Sequence, residues 1–465
     1  MKKIVKTIAF CIVLTLFLSH IYKVFSWKDT AGDYYSSMDS LYNMEEDLVD
    51  VLFLGSSRCY CSINNSVLWQ EQGISSFSLA ISGQDLVSSY HCFVEALKTQ
   101  SPEVVCLELY GTTFHGYAVD SNMYRNTLPF RLSSNAVSAV QNIAEDRQAE
   151  LLLKWPIVHT RYTELKEGDF VKETIPYLGY HAEFNIQPVE PLCTYFGEEV
   201  MSIGEEEEMW LRKIIELAEE KDIQLCLFVA PIVSSQEDQM MFNYVKEIAE
   251  EYSVPLINMP KMQEELQLNL GTDFINWSHT NYYGAYKVSS YMGKFLKENY
   301  DLEDRRGDER YAIWDADAKI RGHEYDNQLL VQTYDVTQYM ELLANKEDYT
   351  IVVAANGNYY ADGTMMEGAL ATIGIDSFYD AGGIWVINNG QIVMQSDGED
   401  FFDYMELSNG DLAVSSEFGI SNIIVDKQSY SKVQNGVNVV VYDNTLGIMV
   451  DAVGFDASAQ YAAIK

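Results

Sequence analysis

Between residues 49 and 300, short apolar runs alternate with stretches of helical spacing, and this alternation limits the fold more than any other feature of the chain. The runs are 49–54 (VDVLFL), 74–80 (ISSFSLA), 104–110 (VVCLELY), 223–230 (IQLCLFVA) and 254–258 (VPLIN). Short, nearly continuous apolar runs bounded by turn residues are the pattern of strands covered on both faces. Helical spacing fills 85–98, 205–221, 236–252 and 282–296, the last helix ending near Tyr300. Five strands alternating with helices predict an α/β fold with a doubly wound five-stranded parallel sheet. The acidic start of 205–221 (EEEE) suits the amino end of a helix dipole and needs no functional explanation.

Two segments of that frame carry chemistry. Residues 49–58 (VDVLFLGSSR) read as a buried strand running into a Gly-Ser-Ser turn, and 273–285 (DFINWSHTNYYGA) place a histidine just before a helix. A serine at the carboxyl end of a parallel strand faces the crevice where open α/β sheets bind ligands. The N–H groups of such a turn are free to receive negative charge developing on an attacked carbonyl oxygen. A serine hydroxyl is a weak nucleophile and needs a base, which in turn needs an orienting group. Beyond the amino-terminal segment the histidines are His91, His115, His159, His181, His279 and His323, and His279 stands apart because it ends a polar loop at the mouth of a helix.

The order of these segments resembles the SGNH/GDSL hydrolase superfamily, with its Gly-Asp-Ser turn after the first strand and Asp-x-x-His before the last helix. The resemblance implies an SGNH/flavodoxin-like sheet, Ser57 as nucleophile and His279 as base. It also implies oxyanion donors at the Ser57 and Gly83 N–H groups, since 74–83 (ISSFSLAISG) reads as the second strand ending at Gly83. Two departures stand out. Where the family has its acid, three residues before His279, this chain has Asn276, with Asp273 three positions earlier as the alternative orienting group. An Asn oxygen can fix the imidazole tautomer but brings no charge, and in one serine protease the equivalent Asp-to-Asn change costs about 10⁴ in rate. The third block, at 104–111, is followed by no Asn, so one oxyanion donor is missing or comes from elsewhere. The pattern is similar to the divergent cell-envelope branch, near the alginate acetylation proteins and the D-alanyl transfer protein of lipoteichoic acid synthesis.

The remaining composition bounds compartment and partners. With 31 basic and 69 acidic residues the net charge is −38, which repels phosphate backbones and excludes a nucleic-acid partner. No P-loop or dinucleotide glycine pattern and no zinc-like His/Cys spacing occurs, so neither cofactor nor metal is expected. Residues 1–27 combine a basic flank with an uncharged, mainly apolar stretch from Thr7 to Tyr22, where Lys6 and Lys23 can snorkel and Trp27 can sit at the interface. No small-residue cleavage site follows, so an uncleaved single-pass anchor with the bulk of the chain extracytoplasmic is the expectation. Among seven cysteines, Cys11 lies in the anchor and Cys106 and Cys226 in core strands; Cys59 and Cys61 have Cys92 or Cys193 as candidate partners, with connectivity unreadable.

The expected organisation is a stalk at 28–48, the hydrolase-like domain at 49–300 with an insertion at about 111–202 over the site, a charged linker at 301–310, and a β-rich domain at 311–465. The insertion is expected to hold one helix, 136–154. Asn389-Gly390, set between apolar runs, is the strongest hairpin signal of the last domain. Residues 349–358 (YTIVVAANGN) and 369–374 (ALATIG) resemble the interleukin-like EMT inducer type of β-sandwich, which implies carbohydrate recognition. The functional expectation is a membrane-anchored SGNH-type O-acyl, most simply acetyl, transferase or esterase on a cell-surface glycan. The resemblance also implies a partner of the membrane-bound O-acyltransferase class. The alternative is a decayed SGNH-fold scaffold or glycan-binding accessory protein.

Overall fold

The structure, a computed structural model, describes residues 2–26, 34–113, 120–144, 147–165, 167–170, 177–344, 346–359, 363–376, 383–397 and 400–465. His115 and Trp27 lie outside them. The chain divides into two compact units, residues 1–318 and 319–465.

The first unit opens with α1 (Lys2–Phe25), whose stretch Lys3–Phe25 reaches a mean hydropathy of 2.1 and is long and apolar enough to cross a membrane. Arg161 donates from Nη1 to the carbonyls of Phe25 and Ser26 at 2.8 and 2.7 Å, satisfying the end of that helix. Next comes α2 (Tyr34–Asn43), then β1 (Val51–Gly55), α3 (Ser57–Ser62), α4 (Asn65–Gln72), β2 (Ser76–Ala80), α5 (Leu86–Ala96) and β3 (Val104–Glu108). The insertion carries α6 (Asp120–Arg125), α7 (Ser134–Ile143), α8 (Gln148–Leu153) and α9 (Trp155–Val158). Alternation resumes with α10 (Glu205–Glu220), β4 (Gln224–Val229), α11 (Gln236–Glu251) and β5 (Leu256–Asn258). The two short strands β6 (Phe274–Asn276) and β7 (His279–Thr280) form a hairpin ahead of α12 (Tyr282–Asn299), and α13 (Ala312–Gln332) follows.

The five expected strands form one parallel sheet of order β2-β1-β3-β4-β5. Each face is covered, which explains the apolar runs: Leu52, Leu54, Phe77, Leu79, Leu107 and Leu227 pack on one side, and Val51, Phe53, Cys106, Cys226 and Phe228 on the other. Helices α5, α10 and α11 cover the first face, α4 and α12 the second. From β1 the chain moves outward to β2 and then returns past β1 to β3, so the carboxyl ends of β1 and β3 flank a topological switch point.

Four segments differ from the sequence expectation. The stalk at 28–48 is not free-standing over its described part, because Met38 and Leu41 on α2 and Leu48 after it are buried in the core. The linker at 301–310 is pinned: Arg305 pairs with Asp50 through Nε at 2.8 Å and Nη2 at 2.9 Å, while most of its other charges stay exposed. Residues 311–318 belong with the sheet and not with the last domain, since Trp314 is fully buried, its indole N–H reaches the Ser76 carbonyl at 2.9 Å, and its ring packs with Trp69 and Tyr311. The helix expected at 136–154 is two, because α7 ends at its cap Ala144, where the backbone is extended, and α8 starts at Gln148. All seven cysteines are unpaired.

The second unit holds the rest of α13, then α14 (Val336–Leu343), β8 (Tyr349–Asn356), α15 (Gly363–Ala371), β9 (Gly383–Asn388), β10 (Gln391–Asp397), β11 (Phe401–Leu407), β12 (Gly410–Glu417), β13 (Ile420–Val425), β14 (Gln428–Ser429), β15 (Gly436–Asp443), β16 (Ile448–Asp456) and β17 (Ala462–Ile464). Its strands form a six-stranded sheet, β10-β9-β8-β15-β16-β17, and a four-stranded one, β11-β12-β13-β14. The β9–β10 hairpin turns at Asn389 and Gly390, both at positive φ (50° and 73°), the geometry that the Asn-Gly pair predicts. The expected β texture is present, with helices α13, α14 and α15 added to it.

Candidate active site

Gly55, the last residue of β1, makes the turn that exposes Ser57. Its φ is +152°, and a Cβ there would stand 2.5 Å from the Cβ of Glu108 on β3, so only glycine fits. Ser56 caps α3 by accepting from the Arg58 N–H. Its own N–H and hydroxyl donate to Glu108 Oε2 at 3.3 and 2.9 Å, while Glu108 Oε1 accepts the Tyr110 N–H at 2.8 Å. Burial pushes the Glu108 carboxyl up, and the Arg58 guanidinium with these hydrogen bonds works against that shift. Glu108 therefore bolts the Ser56–Ser57 turn to the neighbouring strand.

The hairpin β6–β7 brings His279, the expected base. His279 Nε2 lies 2.8 Å from Ser57 Oγ, across 222 positions of sequence. His279 Nδ1 lies 3.0 Å from Asn276 Oδ1 and 2.9 Å from Ser278 Oγ. An amide oxygen only accepts, so Nδ1 carries the proton and the lone pair of Nε2 faces the serine hydroxyl. Asn276 Oδ1 also receives the Ser278 N–H at 2.9 Å and hydroxyl at 3.2 Å, which fixes the amide's orientation. Burial first, and the Arg58 guanidinium second, lower the His279 pKa to about 4, so the imidazole is neutral at ordinary pH.

Asp273 does not join this chain. It is buried, and its carboxylate accepts from the Asn269 N–H at 2.8 Å, the Thr272 hydroxyl at 2.8 Å and Lys287 Nζ at 2.7 Å. It builds the turn before the hairpin and ties it to α12. Of the two orienting groups weighed from sequence, the structure brings Asn276 to the imidazole. The other described histidines beyond α1 are engaged elsewhere: His91 with Asn135, His159 with the Pro156 carbonyl, His181 with Glu183 and His323 with Asp443.

On the β2 side, Gly83 sits in a turn at φ +68°. Neither its N–H nor that of Ser57 donates to any group among the described residues. A Cβ on Gly83 would stand 2.5 Å from Asn122 Nδ2, so the α6 side chain lies directly on this turn. Asn126, one turn further along, donates from Nδ2 to the Ser82 carbonyl at 3.3 Å and helps hold α6 there. Sequence reasoning missed Asn122. No Asn follows the third strand closely, and only the path of the insertion brings this one to Gly83.

A strap without regular structure runs along the rim. The Leu178 carbonyl accepts from Ser78 N, His181 N donates to the Tyr60 carbonyl, the Glu183 carbonyl accepts from Tyr282 N, and Gln187 N donates to the Phe274 carbonyl. The Leu192 carbonyl accepts from Ser234 N. It thus touches β2, α3, the β6–β7 hairpin and the start of α12.

No protein-family model matches this chain, and no curated protein does. Among solved structures, a "putative acylhydrolase" from Bacteroides fragilis aligns with 58% of this chain and 99% of its own length, at 11% identity and a TM-score of 0.30. A likeness at that level carries no argument about activity.

Proposed function

We propose that the chain is an SGNH-type acyl-ester hydrolase or O-acyltransferase, acting outside the cytoplasm from a membrane anchor formed by α1. The observation that carries this reading is the hydrogen-bonded series Ser57 Oγ, His279 Nε2, His279 Nδ1 and Asn276 Oδ1, with separations of 2.8 and 3.0 Å at its two links. That is a nucleophile, a base and an orienting group in contact, each in the protonation state its role requires.

In this reading Ser57 Oγ bonds to the acyl carbon as its proton passes to His279 Nε2. The carbonyl oxygen takes the electron pair, held by the Ser57 and Gly83 N–H groups and the Asn122 amide. The ester C–O bond then breaks, and the alcohol departs with the proton from His279. Water, or the hydroxyl of an acceptor, adds to the acyl-serine with His279 again removing the proton, and Ser57 is released. No charge arises at Asn276, so the imidazolium is stabilised by dipoles alone and the rate is lower than an Asp would give.

The acceptor class is a cell-surface glycan and the acyl group an acetyl, by resemblance to the envelope branch. A membrane-bound O-acyltransferase as acyl supplier follows from the same resemblance. The test is labelling of the full-length protein in detergent with a serine-directed fluorophosphonate. Labelling abolished by Ser57→Ala and by His279→Ala supports the reading. Absence of labelling in folded protein, together with no hydrolysis of aryl acetates, removes it in favour of a scaffold role.

A further inference from the structure

Among the described residues the guanidinium of Arg58, which follows Ser57, makes no salt bridge or side-chain hydrogen bond, although the charge of Glu108 acts on it through space. The Arg58 guanidinium lies 3.2 Å from the centre of the Tyr110 ring, stacked on its face. Its Nε is buried and meets no hydrogen-bond partner. The Glu108 carboxylate, whose charge acts most on Arg58, has its oxygens turned to the Ser56 N–H, the Ser56 hydroxyl and the Tyr110 N–H and gives the guanidinium no hydrogen bond. Asp238, the other acid whose field reaches Arg58, serves the Ser235 capping box of α11. Burying a positive charge with unmatched donors is costly unless something completes it. Stacking on Tyr110 leaves the guanidinium edge, with its coplanar N–H groups, to meet a planar anion. A cation beside His279 would be a poor design for a base that charges during the reaction unless the substrate brought negative charge with it.

We propose that Arg58 selects esters that carry a carboxylate or phosphate near the scissile bond, the anion docking on the guanidinium edge while Ser57 addresses the acyl carbonyl. This rests on the Ser57–His279 reading and narrows it to acidic substrates.

The test uses three chromogenic esters with the full-length protein: 4-nitrophenyl acetate, 5-acetoxy-2-nitrobenzoate, which adds a carboxylate to the leaving group, and 4-nitrophenyl hemisuccinate, which adds one to the acyl group. At least one anionic ester is turned over about tenfold more efficiently in kcat/KM than the neutral one, the size of one charge-assisted contact. Arg58→Gln abolishes that preference mainly through KM, and Arg58→Lys retains part of it, which also controls for folding. Equal loss of kcat on all three esters would make Arg58 an oxyanion stabiliser and overturn the proposal, as would an unchanged preference. Binding to the Ser57→Ala protein separates this from the esterase reading. 5-Hydroxy-2-nitrobenzoate is expected to bind about tenfold more tightly than 4-nitrophenol, with the difference lost on adding Arg58→Gln. If no ester is turned over yet this difference is found, the anion site stands and the hydrolase reading falls. If the two phenols bind alike and neither anionic ester is preferred, the anion site falls. Competition by inorganic phosphate stronger than by acetate would identify phosphate as the preferred group; the reverse identifies carboxylate.

Discussion

Asn276 Oδ1 stands 3.0 Å from His279 Nδ1, three residues away in the same hairpin, and it is also the acceptor for the Ser278 N–H. One amide oxygen both shapes the loop and sets the imidazole tautomer. Because that oxygen only accepts, a carboxylate can take its place without disturbing the donors around it. Asn276→Asp is therefore expected to raise kcat on an aryl acetate by about tenfold, less than the ~10⁴ lost in a serine protease where Asn also imposes the wrong tautomer. Asn276→Ala should lower it. Steady-state kinetics of the three proteins decide the matter, and an Asp variant no faster than the parent would count against a working triad.

As the proposed base, His279 sets the acid side of the pH profile through its neutral imidazole. With the His279 pKa lowered to about 4, the base is fully available above about pH 5, and kcat/KM should fall only as pH drops through about 4. Removing the second cause of the shift in Arg58→Gln should move that limb upward. The same depression bears on stability. The unfolded imidazole protonates near its ordinary value of 6.5 while the folded one stays neutral, so this contribution is complete above that value and is lost as pH falls toward about 4. A kcat/KM profile centred near 6.5 would show that His279 is not the desolvated base of this geometry.

Asn122 offers a second probe of the crevice. If its amide joins the Ser57 and Gly83 N–H groups in holding the developing oxyanion, Asn122→Ala should reduce kcat by about 10²–10³ with little change in KM, as loss of one such donor does elsewhere. A change confined to KM would make it a substrate contact instead.

Glu108 tests the support beneath the nucleophile. A Gln there keeps the volume but turns one acceptor into a donor facing the Ser56 or Tyr110 N–H groups. Glu108→Gln should cost about 1–3 kcal/mol in an equilibrium unfolding experiment. It should also lower kcat by displacing Ser57, although Glu108 itself touches no substrate. An unfolding midpoint equal to that of the parent would show that the turn is held by other contacts.

Much of this was legible in the chain. Strands β1 to β5 could be read because a sheet covered on both faces demands apolar side chains of either parity. Ser57 and His279 could be read because each sits at a backbone break between an apolar run and a helix. What escaped detection depended on pairing across distance. Arg305, in the charged run 301–310, looks solvated until it meets Asp50, and the helix from Ala312 carries too many acids to announce that Trp314 inserts beside Trp69. Asn122 was invisible for the same reason: its sequence neighbours describe a short polar helix, and only the fold of the insertion gives that helix Gly83 as a floor.

The strap along the rim has a consequence for the order of events in synthesis. It hydrogen-bonds backward to Ser78 and Tyr60 and forward to Phe274 and Tyr282, while the serine and the imidazole lie 222 positions apart. Such contacts close only after long loops have been closed, which makes them slow and late. A nascent chain that has folded β1 and the serine turn still lacks both its base and half the partners of its rim. The hydroxyl of Ser57 thus meets the His279 imidazole only once α12 has emerged and docked, so any acyl chemistry would begin with the completed domain and not with a growing one.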